Sequence, residues 1–217
     1  LLDDNGNVAR RIQYSEIEQI ICFTPGTRIA TQTGEVAIEK LKVGDRIFTR
    51  DNGAQALRWV GRRDLTGQNL QIHPEFHPIL IRRGALGNGL PERDMLVSPQ
   101  HRMLVTSELA SLMFDEREVL VAAKHLTGLD GVDAVRANGV SYLHLLFDQH
   151  EVVLANGAWS ESFQPGSGSL RGIGDDQRDE VLQLFPELQN AQGLEMYGAA
   201  RMSLKRHEAA IIVNHLS

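Results

Sequence analysis

Ile21-Cys22-Phe23-Thr24-Pro25-Gly26-Thr27 decides how this chain is read, together with Ser98-Pro99-Gln100-His101 far downstream. Cys22 is the only cysteine in the sequence. A lone thiol cannot close an internal disulfide, so it is either a small buried hydrophobe or a nucleophile. The absence of a second cysteine excludes a cysteine-based structural zinc site.

The 217 residues can bury a real core in one domain plus an appendage. Hydrophobic content of 42% and charged content of 23% are ordinary for a globular protein. A net charge of −6 argues against nucleic-acid binding, which usually needs a basic patch. No apolar run is long enough to span a bilayer. The first residues, Leu1-Leu2-Asp3-Asp4-Asn5-Gly6, lack a signal-peptide pattern and read as the interior of a longer polypeptide.

Outward from Cys22, residues 16–21 alternate and predict a strand running into the cysteine. Residues 22–163 predict a β-rich body, with strands at Arg28–Thr31, Val36–Ile38, Arg46–Thr49, Ala56–Val60, Met103–Val105, Val119–Ala122, Val140–Phe147 and Glu151–Leu154. Asp51-Asn52-Gly53 is a hairpin turn, and Asn156-Gly157 reads as another turn. The Gly-rich stretch from Arg83 to Pro91 is a loop and makes a poor phosphate cradle, because no Lys-Ser/Thr follows it. Residues 164–174, with Pro165-Gly166-Ser167-Gly168-Ser169, have linker composition. Residues 175–217 predict a small helical tail. One helix is capped at Asp175-Asp176 and stopped by Pro186; another carries Ala200, Leu204, His207 and Ile211 on one face. A weak echo relates Val36–Asp45 to Val121–Asp130, as two half-domains of common plan would.

Four blocks in order carry a resemblance. Cys22–Thr27 through Leu41-Lys42-Val43-Gly44-Asp45 resembles the opening block of Hint (hedgehog/intein) domains. Ser98-Pro99-Gln100-His101 resembles their Thr-x-x-His block, with Ser in the Thr place. Val121–Leu126 resembles the echo of the first block, and Tyr142–Gly157 the late block. The resemblance spans about residues 20–163 and is closest to bacterial intein-like Hint domains. It implies an all-β horseshoe of two pseudo-symmetric half-domains, with residues 1–21 as the end of an upstream segment. It implies self-processing of the chain's own upstream polypeptide, and a secreted or cell-surface location by analogy alone. No cofactor, metal or nucleic-acid partner is implied. Where inteins end the late block with His-Asn, this chain has Glu161-Ser162. A serine lacks the amide that closes a succinimide, so full splicing is not expected.

The expected chemistry is an N–S acyl shift. Cys22 Sγ attacks the Ile21 carbonyl, and water or an external amine, thiol or alcohol then takes the thioester. His101 is the expected acid for the departing Cys22 nitrogen. Ser98 is expected to orient the amide or bond the oxyanion, and His150 or Asp148 to help deprotonate the thiol. The late-block acid position matches Leu143, leaving His144 and Asp148 as substitutes, although a polar hairpin tip is the simpler reading of His144. Ile21 is β-branched and crowds its own carbonyl, which predicts a slow or gated, single-turnover reaction. The chief rival is a Hint-like module that binds or spaces without reacting; a Cys-His hydrolase acting on a separate substrate comes third. His73 and His77, bracketed by Pro74 and Pro78, do not share a helix face and predict no zinc site.

Overall fold

The computed structural model describes residues 21–215. The strand expected over residues 16–21 lies outside them except for Ile21, which, like Cys22, belongs to no strand.

The described residues form thirteen strands: β1 Arg28–Thr31, β2 Gly34–Ala37, β3 Arg46–Thr49, β4 Gly53–Ala56, β5 Trp59–Thr66, β6 Ile79–Ile81, β7 Met95–Val97, β8 Arg102–Thr106, β9 Glu118–Ala122, β10 Val132–Ala134, β11 Gly139–Leu146, β12 Val152–Ala155 and β13 Ala158–Glu161. Every pairing between them is antiparallel. One sheet runs β2-β1-β3-β12-β13-β8-β9, with β4 added at β3. A three-stranded sheet runs β10-β6-β7, and β5 pairs with β11 over eight residues of each strand. This is the all-β body expected from the sequence.

Turn chemistry explains much of the local order. β12 and β13 are joined by the two-residue turn Asn156-Gly157, with φ of 47° and 79°. Positive φ at both positions matches the twist of the flanking strands, and Asn and Gly tolerate it best. Asn156 also works at long range. Its Oδ1 accepts the Arg28 N–H at 2.8 Å, which fixes the turn against the start of β1. The strand expected over Ala56–Val60 is instead two strands. Leu57 and Arg58 leave the ladder because their N–H groups bond the carbonyls of Asp45 and Leu146.

An approximate twofold plan organises the body. β1 and β2 lead into a 3-10 turn at Ile38–Lys40; β8 and β9 lead into another at Ala123–His125. The Ile38 N–H bonds the Thr27 carbonyl at 2.9 Å, and the Ala123 N–H bonds the His101 carbonyl at 2.8 Å. The sequence echo is therefore a repeated structural unit.

The tail is helical but is neither tethered loosely nor set apart. The expected linker contains helix α1 of this tail, Ser167–Gly172, and buries Leu170 and Ile173. Next comes α2, Asp175–Leu184, stopped before Pro186 as expected, and then α3, Ala191–Met196. Residues Leu170, Ile173, Val181, Phe185, Leu188 and Tyr197 form one cluster with Trp59, Leu146 and Phe163 of the β body. The last helix, α4, spans only Arg206–Val213. Ala200 and Leu204 precede it, because the chain there pairs with β9: Leu204 N–H bonds the Leu120 carbonyl at 2.9 Å. Its buried face is Ala209, Ile212 and Val213, not the face carrying His207 and Ile211. Burying these apolar groups, at ~25 cal/mol per Å2, makes the tail part of the core. No described helix is long and apolar enough to cross a membrane.

Candidate active site

Phe23 sits at the centre of the body as a bridge. It pairs with Val97 at the end of β7 and, through two hydrogen bonds of 3.0 and 2.9 Å, with Leu143 of β11. This pins Cys22 between the Ser98 turn and β11. The Cys22 N–H donates to Ser98 Oγ at 2.9 Å, and the Ser98 N–H donates to the Cys22 carbonyl at 3.0 Å. Both polar groups of the Cys22 backbone are thus held by one residue.

Alternation along β11 puts Tyr142, His144 and Leu146 on one face. Opposite them on β5 stand Arg63, Gly61 and Trp59, in register. The Trp59 ring lies over Gly61, where a Cβ would run into the indole. The missing side chain lets Trp59 lie 6.1 Å from the His144 ring, and Phe163 closes on that ring edge-on at 5.1 Å. Packed this way, His144 reaches the cysteine. Its Nδ1 lies 3.0 Å from the Ile21 carbonyl oxygen, and Cys22 Sγ lies almost equally far from both ring nitrogens, 3.2 Å from Nε2 and 3.3 Å from Nδ1. A carbonyl can only accept, so Nδ1 carries the proton and Nε2 is the free acceptor. One imidazole spans the thiol and the carbonyl of the Ile21–Cys22 peptide bond.

The site is dry. Burial drives the Cys22 thiol well above its ordinary range; Arg63 pulls it down in part, Glu161 pushes it further up, and the Ser98 hydrogen bond lowers it. Burial lowers His144 to about 3 against the opposing bond to Ile21. His144 is neutral at rest, and the thiol keeps its proton.

His101 is buried with its ring against Phe23, centroids 4.3 Å apart. Burial lowers it to about 4, although Glu161 acts the other way. Neither ring nitrogen finds a hydrogen-bond partner among the described residues. The group that bonds the Cys22 nitrogen is Ser98, three residues earlier in the same turn, whose carbonyl receives the His101 N–H at 3.0 Å.

The two expected helpers part company. Asp148 is not brought to the thiol: its side chain is 68% exposed and faces Arg58 at 3.5 Å. His150 is buried, but in a second polar layer. Its Nδ1 accepts the Ala200 N–H of the tail at 2.9 Å, so Nε2 carries its proton toward Glu161, 3.5 Å away. Glu161 also takes the Arg102 N–H at 2.7 Å and the Arg102 guanidinium at 2.8 Å. Burial opposes the charge on Glu161, but Arg102, helped by His150 and His101, holds its carboxyl below the usual range. Ser162 Oγ accepts the Glu151 N–H at 2.9 Å, a purely structural bond.

His144, Arg63 and Glu161 are the residues that reasoning from motifs undervalued. The signal for His144 was present in the period-two alternation of Tyr142-Leu143-His144-Leu145-Leu146, which extends the strand past the position read as a hairpin tip. The histidines at 73 and 77 point to separate partners: His73 to Glu75, and His77 to the Ala137 N–H. Among the described residues no group of His, Cys, Asp and Glu is placed to hold a metal ion.

The Hint domain family matches residues 21–167, from the residue before the thiol to the start of the tail. Among solved structures, the chain is similar to the bacterial intein-like domain from Clostridium thermocellum, at 14% identity over 66% of this chain and 99% of that one, with a TM-score of 0.43. It is similar also to a DnaB intein from Synechocystis, at 14% identity over 65% of this chain and 98% of that one, with a TM-score of 0.36. No curated protein matches it. With most of its length matched, and with the matched stretch opening at the residue before the cysteine and closing just past β13, the chain belongs to the Hint domain family.

Proposed function

We propose that this domain cleaves its own backbone at Ile21–Cys22 through an N–S acyl shift, without splicing. The observation that carries the reading is the double contact of His144, with Nε2 at the Cys22 thiol and Nδ1–H at the Ile21 oxygen. Nε2 takes the thiol proton as Sγ bonds the Ile21 carbonyl carbon. Negative charge passes to the Ile21 oxygen, where Nδ1–H already donates, and the imidazole has just become cationic. The same ring is base for the nucleophile and donor to the oxyanion.

Collapse of the tetrahedral intermediate breaks the bond between the Ile21 carbon and the Cys22 nitrogen. That nitrogen leaves as an amine and needs one proton. Ser98 holds the Cys22 N–H in the peptide, and its own hydroxyl proton is at hand once the nitrogen becomes basic. The proton that His144 took from the thiol is the one that restores the Ser98 hydroxyl, so the charges balance and the imidazole ends neutral; His101, buried and neutral, can serve in that return only as a relay that accepts a proton at one ring nitrogen as it releases one from the other. Water then adds to the thioester, giving the Ile21 carboxylate and free Cys22 thiol. An amine or thiol in place of water gives the corresponding amide or thioester.

The resting protonation states predict a slow reaction. Transfer from a thiol raised by burial to an imidazole lowered to about 3 is uphill, and branched Ile21 adds steric resistance. Nothing at Glu161-Ser162 can release a C-terminal segment: Glu161 is locked to Arg102, and Ser162 holds the Glu151 N–H.

Intact mass of the full chain, followed over days with and without hydroxylamine or an added thiol, tests the proposal. A fragment of residues 22–217 that accumulates, and is missing from Cys22→Ala, is the expected result. A chain that stays whole under both reagents overturns it and leaves the unreactive module as the reading.

A further inference from the structure

The family match ends at residue 167, yet helix α2 of the tail, Asp175–Leu184, grips the strand that faces His144. β5 pairs with β11 along one edge, and the tail bonds its other edge. There the Gln177 side chain accepts the Arg62 N–H and donates to the Arg62 carbonyl, both at 2.8 Å. A side-chain amide thus stands where the peptide of a further strand would. Three residues along the same helix face, Glu180 accepts the Trp59 indole N–H at 3.0 Å.

These two contacts bracket the position opposite the base. Gly61 is the register partner of His144; Arg62 follows it, and Trp59 stands two residues before it. Arg62 is in turn opposite Leu143, whose N–H and carbonyl are both bonded by Phe23, the residue after the thiol. Gln177 and Phe23 therefore hold one rung of the ladder from its two ends, and the next rung carries His144. The Trp59 ring fills the space over Gly61 and stacks on the imidazole, with centroids 6.1 Å apart and planes 29° apart. Trp59 is buried, and Glu180 gives its indole N–H the acceptor that a buried indole needs.

We propose that Trp59 is a positioning residue for His144, and that tail helix α2 sets its place through Glu180 and Gln177. The imidazole has to meet the Ile21 oxygen and the Cys22 thiol at once. A tilt of the ring loses one of the two contacts, and the indole face blocks that tilt. The inference rests on the acyl-shift reading for its effect on rate, but not for its effect on the ring. It gives residues past 167 a part in orienting the base without touching the reacting atoms.

Four chains test it: Glu180→Gln, Glu180→Leu, Trp59→Phe and the last two combined. Glu180 is exposed, so its variants are expected to fold. The first readout is the rate of hydroxylamine-induced cleavage, measured well below each chain's melting midpoint. The second is the pair of nitrogen NMR signals of the His144 ring without hydroxylamine, which in the wild type report a proton on Nδ1. Glu180→Leu is expected to slow cleavage about fivefold and to draw the two ring signals together, as the Nδ1–H and Nε2–H forms mix. Glu180→Gln keeps an oxygen acceptor for the indole and is expected to stay within about twofold of wild type, with its ring signals unmoved. Trp59→Phe keeps a ring but no donor, so adding Glu180→Leu to it is expected to change the rate no further. Equal losses in the Gln and Leu chains, or a full second loss in the combined chain, overturn the proposal. So does a Glu180→Leu chain whose ring signals stay in place, whatever its rate. Should Trp59→Phe fail to fold, the Glu180 pair decides alone. A wild-type chain that never cleaves defeats the acyl-shift reading itself; the ring signals then still decide the positioning role.

Discussion

The turns Thr24-Pro25-Gly26-Thr27 and Ser98-Pro99-Gln100-His101 are the same device used twice. In each, the fourth residue's N–H bonds the first residue's carbonyl, at 3.3 and 3.0 Å. Each feeds a strand, β1 or β8, that pairs with the next strand and its 3-10 turn. The hydroxyls correspond as well. Ser98 Oγ holds the backbone of Cys22, two residues before the first turn; Thr24 Oγ1 holds the backbone of Leu96, two residues before the second. Between them Phe23 pairs with Val97 across the approximate twofold axis.

The scaffold is therefore nearly symmetric, while the chemistry is not. Only one of the two cradled positions carries a thiol, and only one faces a histidine. Where the second turn ends in buried His101, the first ends in Thr27, whose hydroxyl bonds the Thr24 carbonyl at 2.8 Å. The symmetric frame supplies rigidity, and a few side chains break the symmetry into a site.

The sharpest way to break the comparison is to exchange the nucleophile. Cys22→Ala is expected to abolish cleavage, and adding Leu96→Cys to it is expected to restore nothing, since His144 serves only one cradle. Mass spectrometry for a new amino terminus at residue 96 decides. His144→Gln follows, with a loss of about 10²- to 10⁴-fold in hydroxylamine-induced cleavage. Glutamine can still donate to the Ile21 oxygen but cannot take the thiol proton.

Ser98→Ala and Thr24→Ala are the matched pair. The serine variant is expected to slow cleavage about tenfold and to destabilise the fold by about 1–3 kcal/mol, because a buried N–H loses its acceptor. The threonine variant is expected to lose about 1 kcal/mol in urea melts, with cleavage within about twofold of wild type. Equal effects on rate would show that the hydroxyls act only on the frame.

Acidification probes the buried histidines. His101 and His144 stay neutral in the fold, at about 4 and about 3, against about 6.5 when unfolded. The unfolded chain binds more protons between those values, so stability is full above about pH 6.5 and falls as pH drops toward 4. His101 alone accounts for roughly 3 kcal/mol of that loss. Glu161, held low, loses its pairing in the same direction. The cleavage rate is expected to stay level through neutrality, where the protonated thiol and the neutral imidazole are both in place, and to fall only in acid as His144 takes a proton. Asp148→Asn is the smallest change: an exposed residue that, among the described residues, pairs with Arg58 is expected to leave the rate within about twofold.

Much of the frame was legible in the residues. The Asn52-Gly53 and Asn156-Gly157 turns demand positive φ, and alternating apolar runs name most of the strands. The Cys22 and Ser98 blocks are legible because they resemble motifs of Hint domains and stand in the right order. His144 was hidden by its neighbours: in an apolar strand, a histidine announces nothing until the partner strand fixes which face is buried. Asp148 was favoured over it because a carboxylate near a turn looks chemical from its type alone. The tail was misjudged as an appendage because composition reports flexibility, not what surface waits to be covered.

By itself, then, the sequence determined the β body, its repeated turns and a single thiol standing before the first of them. These follow from local rules of backbone conformation and side-chain alternation. Only the tertiary structure decided which histidine meets that thiol, that Glu161 is spent on Arg102, and that residues beyond 167 close over the site. Those facts depend on the pairing of Gly61 with His144 and of Tyr142 with Arg63 across more than seventy residues of chain. No local propensity encodes such contacts; they exist because burying Trp59, Phe163 and the tail together removes more apolar surface from water than any arrangement of the parts alone.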